Sequence, residues 1–279
     1  MFQKIHLLFH TIKHMRFKQM YYQAFYEVKH RCYHKSYVHQ GPAATSIAWH
    51  TPLQYQNSWQ EGNRFKFLNL EKSFETIDWN YSDYGKLWTY NLNYFEFLNQ
   101  KKIAAESGIR LIEDFIKKKD GLKDALEPYP LSLRSINWVK FLSQHKIIDP
   151  AINNCLFNDF QRLEDNLEYH LLGNHLLENG FSLLFAAVYF RHDSFYRKGV
   201  QIIKSELQEQ ILDDGAHFEL SPMYHQIILH RTLDSIQLLK LNPWKKDGLL
   251  EFLNTKASHM LGWLQTITYE NGDIPMVND

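Results

Sequence analysis

From Leu87 onward, apolar residues recur every three or four positions, and that rhythm constrains the chain to helices. The first three candidates are Leu87–Asn99, Ile103–Lys118, and a segment from near Leu131 to His145. Apolar stripes follow at Leu156, Phe160, Leu163, Leu167 and Leu171, then at Leu177, Phe181, Leu184 and Val188. Further stripes run through Val200, Ile203, Leu207 and Ile211, through Leu229, Leu233, Ile236 and Leu239, and through Leu250, Leu253, Ala257, Met260/Leu261 and Leu264. Short breakers separate them: Leu172-Gly173-Asn174, Arg191-His192-Asp193-Ser194, Asp213-Asp214-Gly215 and Leu241-Asn242-Pro243. Short links make antiparallel neighbours, so the pattern predicts stacked α-hairpins. There are too many helices for one bundle core, and no exact repeat marks a solenoid. The expected architecture is all-α, an incomplete ring or toroid of helical hairpins.

The first 80 residues differ. Ile5, Phe9, Ile12, Met15, Tyr21, Phe25 and Val28 predict one amphipathic helix or a pair over residues 4–30. Residues 41–80 are punctuated by Gly41-Pro42 and Thr51-Pro52, and Arg64-Phe65-Lys66-Phe67-Leu68 alternates as a short strand. We therefore divide the chain into an arm (1–80) and a helical domain (81–279), with strand confined to about residues 60–80.

Charge and composition narrow the function. Lys+Arg 31 balance Asp+Glu 31, which excludes a general nucleic-acid binder, because that needs surplus cations to displace counterions. The 15% aromatic content suits stacking on sugars or on bases. No apolar run reaches the ~20 residues of a membrane span; the longest, Leu183–Phe190, reads as a buried helix. The N-terminus has no apolar signal core or cleavage site, which points to the cytoplasm, with the periplasm as the alternative. Cys32 and Cys155, far apart in sequence, read as free thiols. There is no His-Glu-x-x-His, and His170/His175 and His225/His230 fall outside the i, i+4 register. With no Gly-rich phosphate loop and no Gly-x-Ser-x-Gly elbow, neither a metal nor a cofactor is expected.

Three segments concentrate polar chemistry. Gly173-Asn174-His175-Leu176-Leu177-Glu178-Asn179 sits at a helix start; Asn174 fits a cap, His175 and Glu178 fit a surface pair, and together they fit the lip of a cleft. In the segment from Asp213 to His225, Ser221 is positioned to cap a helix with Pro222 at its first position. Tyr224 and His225 then fall in the first turn, where the helix dipole favours anions; the plainer alternative is a tyrosine that packs. In Glu127–Trp138, Arg134, Asn137 and Trp138 recur within one turn, and Tyr129 precedes them. Such a set either holds an anionic sugar, Arg on the carboxylate and Trp on the ring, or starts a helix with Trp138 buried.

Together these segments resemble the N-terminal domain of the heparinase II/III family of polysaccharide lyases, including its alginate-lyase-like members. The resemblance runs from about Trp79 to the end. It rests on Lys86-Leu87-Trp88-Thr89-Tyr90-Asn91-Leu92-Asn93-Tyr94, Tyr129–Trp138, Asn174-His175 with Glu178-Asn179, Phe218–His225, and Asn271-Gly272-Asp273-Ile274-Pro275. It implies an incomplete (α/α) toroid followed by an antiparallel β-sheet domain, and eliminative cleavage of an anionic, uronate-containing polysaccharide. By position, Asn174 or His175 would neutralise the substrate carboxylate and Tyr224 would be the catalytic tyrosine. Arg134, Asn137, Trp138, Tyr129, Glu178 and His225 would bind substrate around them. The family also uses a histidine from its β domain, which lies past residue 279. The chain is therefore expected to be an incomplete enzyme with an exposed apolar patch where that domain would dock.

Two rivals remain at this stage. A toroid glycoside hydrolase would pair Asp213 or Asp214 with Glu178 or Glu219, about 6.5–9.5 Å apart if inverting. A non-catalytic polysaccharide-binding or assembly protein could keep the same scaffold. The lyase reading requires Asn174, His175 and Tyr224 to line one groove, with Arg134, Asn137 or Trp138 on its wall.

Overall fold

The computed structural model describes residues 16–32, 35–37, 40–50, 55–101 and 103–278. Helix α1 (Phe17–Cys32) precedes a three-stranded antiparallel sheet of β1 (Trp59–Gln60), β2 (Arg64–Phe67) and β3 (Leu70–Ser73). Then come α2 (Lys86–Tyr94), α3 (Ala105–Lys118), α4 (Pro128–Gln144), α5 (Pro150–Asp165), α6 (Gly173–Phe190), α7 (Asp193–Gln210), α8 (Pro222–Leu241) and α9 (Leu249–Ile267). The part of the expected N-terminal helix before residue 16 lies outside the described residues.

The helices form two layers. Helices α2, α4, α6 and α8 pack each on the next, and α3 packs on α5 and α7 on α9 outside them. Hairpin contacts α4–α5, α6–α7 and α8–α9 join the layers. Burial explains the assignment. Helix α6 is buried from Leu176 to Phe190 and α4 from Pro130 to Leu142, so neither has a solvent face and both must be internal. Helix α3 instead buries one stripe, Gly108, Leu111, Ile112 and Phe115, as an outer helix should. The chain thus curls into an incomplete (α/α) toroid.

Local chemistry sets the boundaries. The Asp149 carboxylate accepts from the Ile152 amide at 2.8 Å ahead of Pro150, and Ser221 Oγ accepts from the Tyr224 amide at 3.3 Å ahead of Pro222. Both are cap-plus-proline helix starts, and the one at Ser221-Pro222 is as expected. At Gly215 the backbone has φ 91°, and a Cβ would lie 2.2 Å from the His259 carbonyl, so no other residue fits that turn without displacement.

Two boundaries differ from expectation. The helix expected over Leu87–Asn99 stops at Tyr94, because Phe95 turns left-handed (φ 57°) and a 3-10 turn takes Glu96–Asn99. That turn drives Phe95 into the aromatic core, stacked on Trp79 at 4.9 Å and edge-on to Phe115 at 5.2 Å. The stripe through Leu171 also ends early, at Asp165. Asn166 donates its side-chain amide back to the Arg162 carbonyl at 2.7 Å, closing the helix. Leu167 stays buried in the following turn, while Leu171 is exposed.

The alternation in β2 buries Phe65 and Phe67, and both join the core that holds Trp79, Trp88 and Phe97. Helix α1 lies across the α5–α6 turn: Tyr26 Oη donates to the Leu167 carbonyl at 2.5 Å, Gln19 to that of Leu171 at 3.1 Å, and Tyr22 stacks on Tyr169. Leu261, Tyr269, Met276 and Val277 are exposed towards the C-terminal end. Among the described residues no helix is long and apolar enough to cross a membrane.

Candidate active site

Inner helices α4, α6 and α8 begin on one rim, and their first turns converge on a groove of about 750 Å³. Tyr90 and Tyr94 of α2, Tyr129 of α4, Gly173–His175 of α6 and Met223-Tyr224 of α8 line it, with Phe218 and Glu219 before α8 and Arg16 and Gln19 at α1. Unpaired amides at helix starts make such a rim favourable for an anion.

Gly173 is left-handed (φ 57°) and follows Leu172 at φ 63°, so the chain turns sharply and α6 opens with no side-chain cap. Asn174 is therefore not the cap that its residue type suggested. Its Oδ1 is buried with no hydrogen-bond partner, and its amide is uncommitted among the described residues. His175 is anchored: Nδ1 lies 3.0 Å from Glu168 Oε1, and the ring packs on Tyr129 with centroids 4.4 Å apart. An ionised carboxylate only accepts, so Nδ1 donates and Nε2 is left for the groove. Glu168 is itself held by the Asn179 side-chain amide at 2.9 Å, and that amide also reaches Ser132 Oγ at 3.1 Å.

Four tyrosines line the groove, and they are not equivalent. Burial pushes the Tyr94 phenol well above its ordinary pKa, and burial with the Glu178 charge does the same at Tyr129. Tyr90 is raised by burial and by its hydrogen bond to Glu127. Tyr224 is half-buried, and its hydroxyl has no partner among the described residues.

The heparinase II/III N-terminus family matches residues 131–279, more than half of the chain. The chain belongs to this family. Among curated relatives, a heparin-sulfate lyase of Pedobacter heparinus is 29% identical over 136 residues, covering 47% of this chain and 20% of that protein. A heparin-sulfate lyase of Bacteroides stercoris is 25% identical over 115 residues, covering 40% and 17%. The matches thus span about a fifth of those relatives. A crystal structure of a mutant heparan sulfate lyase, HepC, from Pedobacter heparinus superposes with a TM-score of 0.55 at 19% identity, covering 77% of this chain and 38% of that one. That likeness establishes the heparinase toroid fold.

Several residues expected at this family's groove are elsewhere. Arg134 is fully buried: Nη1 donates to the Ala125 carbonyl at 2.6 Å and Nη2 to Asp159 at 3.1 Å, with Lys119 completing the pair at 2.5 Å. Asn137 donates to the Tyr94 carbonyl at 2.9 Å and accepts from Asn99 at 3.1 Å. Trp138 packs edge-on against Phe95 and Phe115. None of the three forms a groove wall, because α4 is internal from Pro130 to Leu142 and all three side chains are buried there. His225 is likewise buried, its Nε2 3.0 Å from the Met260 carbonyl and its pKa lowered by burial. Glu178 faces inward and pairs with Arg231 Nε at 2.7 Å; burial holds its pKa above the usual carboxylate range although Arg231 opposes it. Arg231 and Lys140 also share Asp234, with His230 3.7 Å away.

The carboxylates of the hydrolase reading are dispersed. Asp213 and Asp214 line a separate depression at the end of α7, Glu178 is buried, and Glu219 alone of that set reaches the groove. Glu209, also in the groove, pairs with Arg16 at 2.5 Å. Among the described residues no cluster of three metal-ligating side chains occurs. Sequence reasoning missed Glu168; its signal would have been a carboxylate seven residues before His175, across a turn.

Proposed function

We propose that the groove binds a uronate residue of an anionic polysaccharide and that the protein containing this chain cleaves it by β-elimination. The observation that carries this is the meeting of three uncommitted groups at the mouths of inner helices: the Asn174 amide, His175 Nε2 and the Tyr224 hydroxyl. Asn174 and His175 hydrogen-bond the uronate carboxylate. The C5–H bond is then the one weakened, because the electron pair it leaves delocalises towards that carboxylate. The pair forms the C4=C5 bond, the C4–O4 bond breaks, and O4 takes a proton. Tyr224 removes the C5 proton or supplies the O4 proton, according to substrate stereochemistry. On this reading the remaining acid or base is the histidine of a β-sheet domain belonging to the same protein.

The named relatives point towards heparan-type polymers. Among the described residues, the basic side chains lining the groove are Arg16 and His175, with Arg16 paired to Glu209. This favours a carboxylate over clustered sulfates at the cleaved sugar.

The test is a panel of heparan sulfate, alginate and unsulfated uronate polymers. We expect the isolated chain to bind a polymer with little turnover, and the protein with its β domain to release unsaturated uronate that absorbs in the ultraviolet. Tyr224→Phe should lower kcat by about 10²–10⁴ with KM nearly unchanged, and Asn174→Ala should weaken binding. Cleavage without the ultraviolet product would establish a hydrolase instead. Full activity in Tyr224→Phe, or strong turnover by residues 1–279 alone, would refute these roles.

A further inference from the structure

Beside the groove lies a second cavity of about 550 Å³, walled by α1, residues 35–37, the start of α4 and the end of α5. Leu171 lines both spaces. Glu127, on the cavity's edge, accepts a hydrogen bond from Tyr90 of the groove. The two are therefore neighbours along one surface track.

The cavity's charges are unevenly committed. Its carboxylates are taken: Glu127 by Lys86 at 2.7 Å, Glu168 by His175 and Asn179, and Glu27 by Arg31 at 2.9 Å. Asp165, at its edge, pairs with Lys35 at 2.5 Å. Three cations have no carboxylate within ion-pair distance among the described residues. Arg162 sits over the Tyr37 ring with Cζ 4.8 Å from its centroid, Lys29 is held on the Asp165 backbone carbonyl, and Lys123 is exposed at the rim. A guanidinium fixed on a ring keeps its donor edge free and pre-oriented for a planar or tetrahedral anion.

We propose that this cavity is a second anion subsite, which takes a carboxylate or sulfate of the polysaccharide beyond the sugar held in the groove. The proposal rests on the reading of the groove as a uronate site. Helix α1, Lys29 and Lys123 lie outside the family-matched residues 131–279, whereas Arg162 lies within them. The subsite adds cations to the Arg16 and His175 that line the groove among the described residues.

The test is calorimetric titration of the full chain with a heparan sulfate disaccharide, a hexasaccharide, and inorganic sulfate. We expect the hexasaccharide to bind at least tenfold more tightly than the disaccharide. Arg162→Gln and Lys123→Gln should each remove about three- to tenfold of that gain, the range for one charged hydrogen bond near a surface, and leave the disaccharide unchanged. Lys123 is exposed, so its variant tests the proposal even if Arg162→Gln impairs folding. Equal affinity for both lengths, an unaltered gain in both variants, or sulfate binding as tight as the hexasaccharide would each overturn the subsite. If Asn174→Ala and Tyr224→Phe change neither length while Lys123→Gln still removes the gain, the anion subsite stands and the groove reading falls.

Discussion

Replacing Arg231 by Met tests the buried charge cluster on which the groove floor rests. Arg231 is 5% exposed and bridges Glu178 at 2.7 Å and Asp234 at 3.3 Å, tying α6 to α8. Methionine keeps much of the stem but leaves Glu178, Asp234 and Glu96 facing Lys140, with His230 beside Asp234. Removing one partner of a buried pair costs about 3–5 kcal/mol, a large part of a typical ~5–15 kcal/mol stability. The loss should depend on pH. Burial already raises the Glu178 pKa, and Arg231 opposes that rise; without Arg231 the native pKa climbs further above the unfolded value. Between those values the native state holds the extra proton, so the variant's stability falls as pH rises. Urea unfolding followed by tryptophan fluorescence should show the full deficit near pH 8 and a smaller one near pH 5. Adding Glu178→Gln should recover more than about 1 kcal/mol near pH 8, since it removes the orphaned charge. A deficit below about 1 kcal/mol, or one independent of pH, would refute the account.

Glu168→Gln should weaken binding of a uronate oligosaccharide about tenfold with the circular dichroism spectrum retained, because it replaces the charged acceptor that orients His175; unchanged affinity would remove Glu168 from the site. Gly199→Ala should cost about 1–3 kcal/mol in denaturant unfolding, since its Cβ would lie 3.0 Å from the Gly180 carbonyl and the Leu184 amide at the α6–α7 crossing. Burial lowers the His217 and His230 pKa values to about 4. Their native forms therefore bind fewer protons than the unfolded chain below its ordinary histidine pKa near 6.5. Stability should fall as pH drops from about 6.5 towards 4, by on the order of 2 kcal/mol per histidine, and His217→Gln should flatten part of that slope in unfolding curves taken across the range.

The sequence by itself determined the helices, their order and several of their ends. Apolar spacing shows through wherever one helix face meets water, as in α3, and Ser221-Pro222 marks a start by local hydrogen bonding alone. It also put Asn174, His175 and Tyr224 at helix mouths, because polar residues cluster where helix amides lack partners. Only the tertiary structure decided which polar residues are available. Arg134, Asn137, Glu178 and His225 are polar residues like those of the groove, yet each lies on a buried helix face. Each spends its hydrogen bonds on a partner set by packing: Asp159, Asn99, Arg231 and the Met260 carbonyl. Glu168 came to His175 the same way, by the fold of a turn rather than by a helical repeat. A polar side chain's role depends on whether its partner is protein or solvent, and that is fixed by neighbours that a one-dimensional pattern does not place.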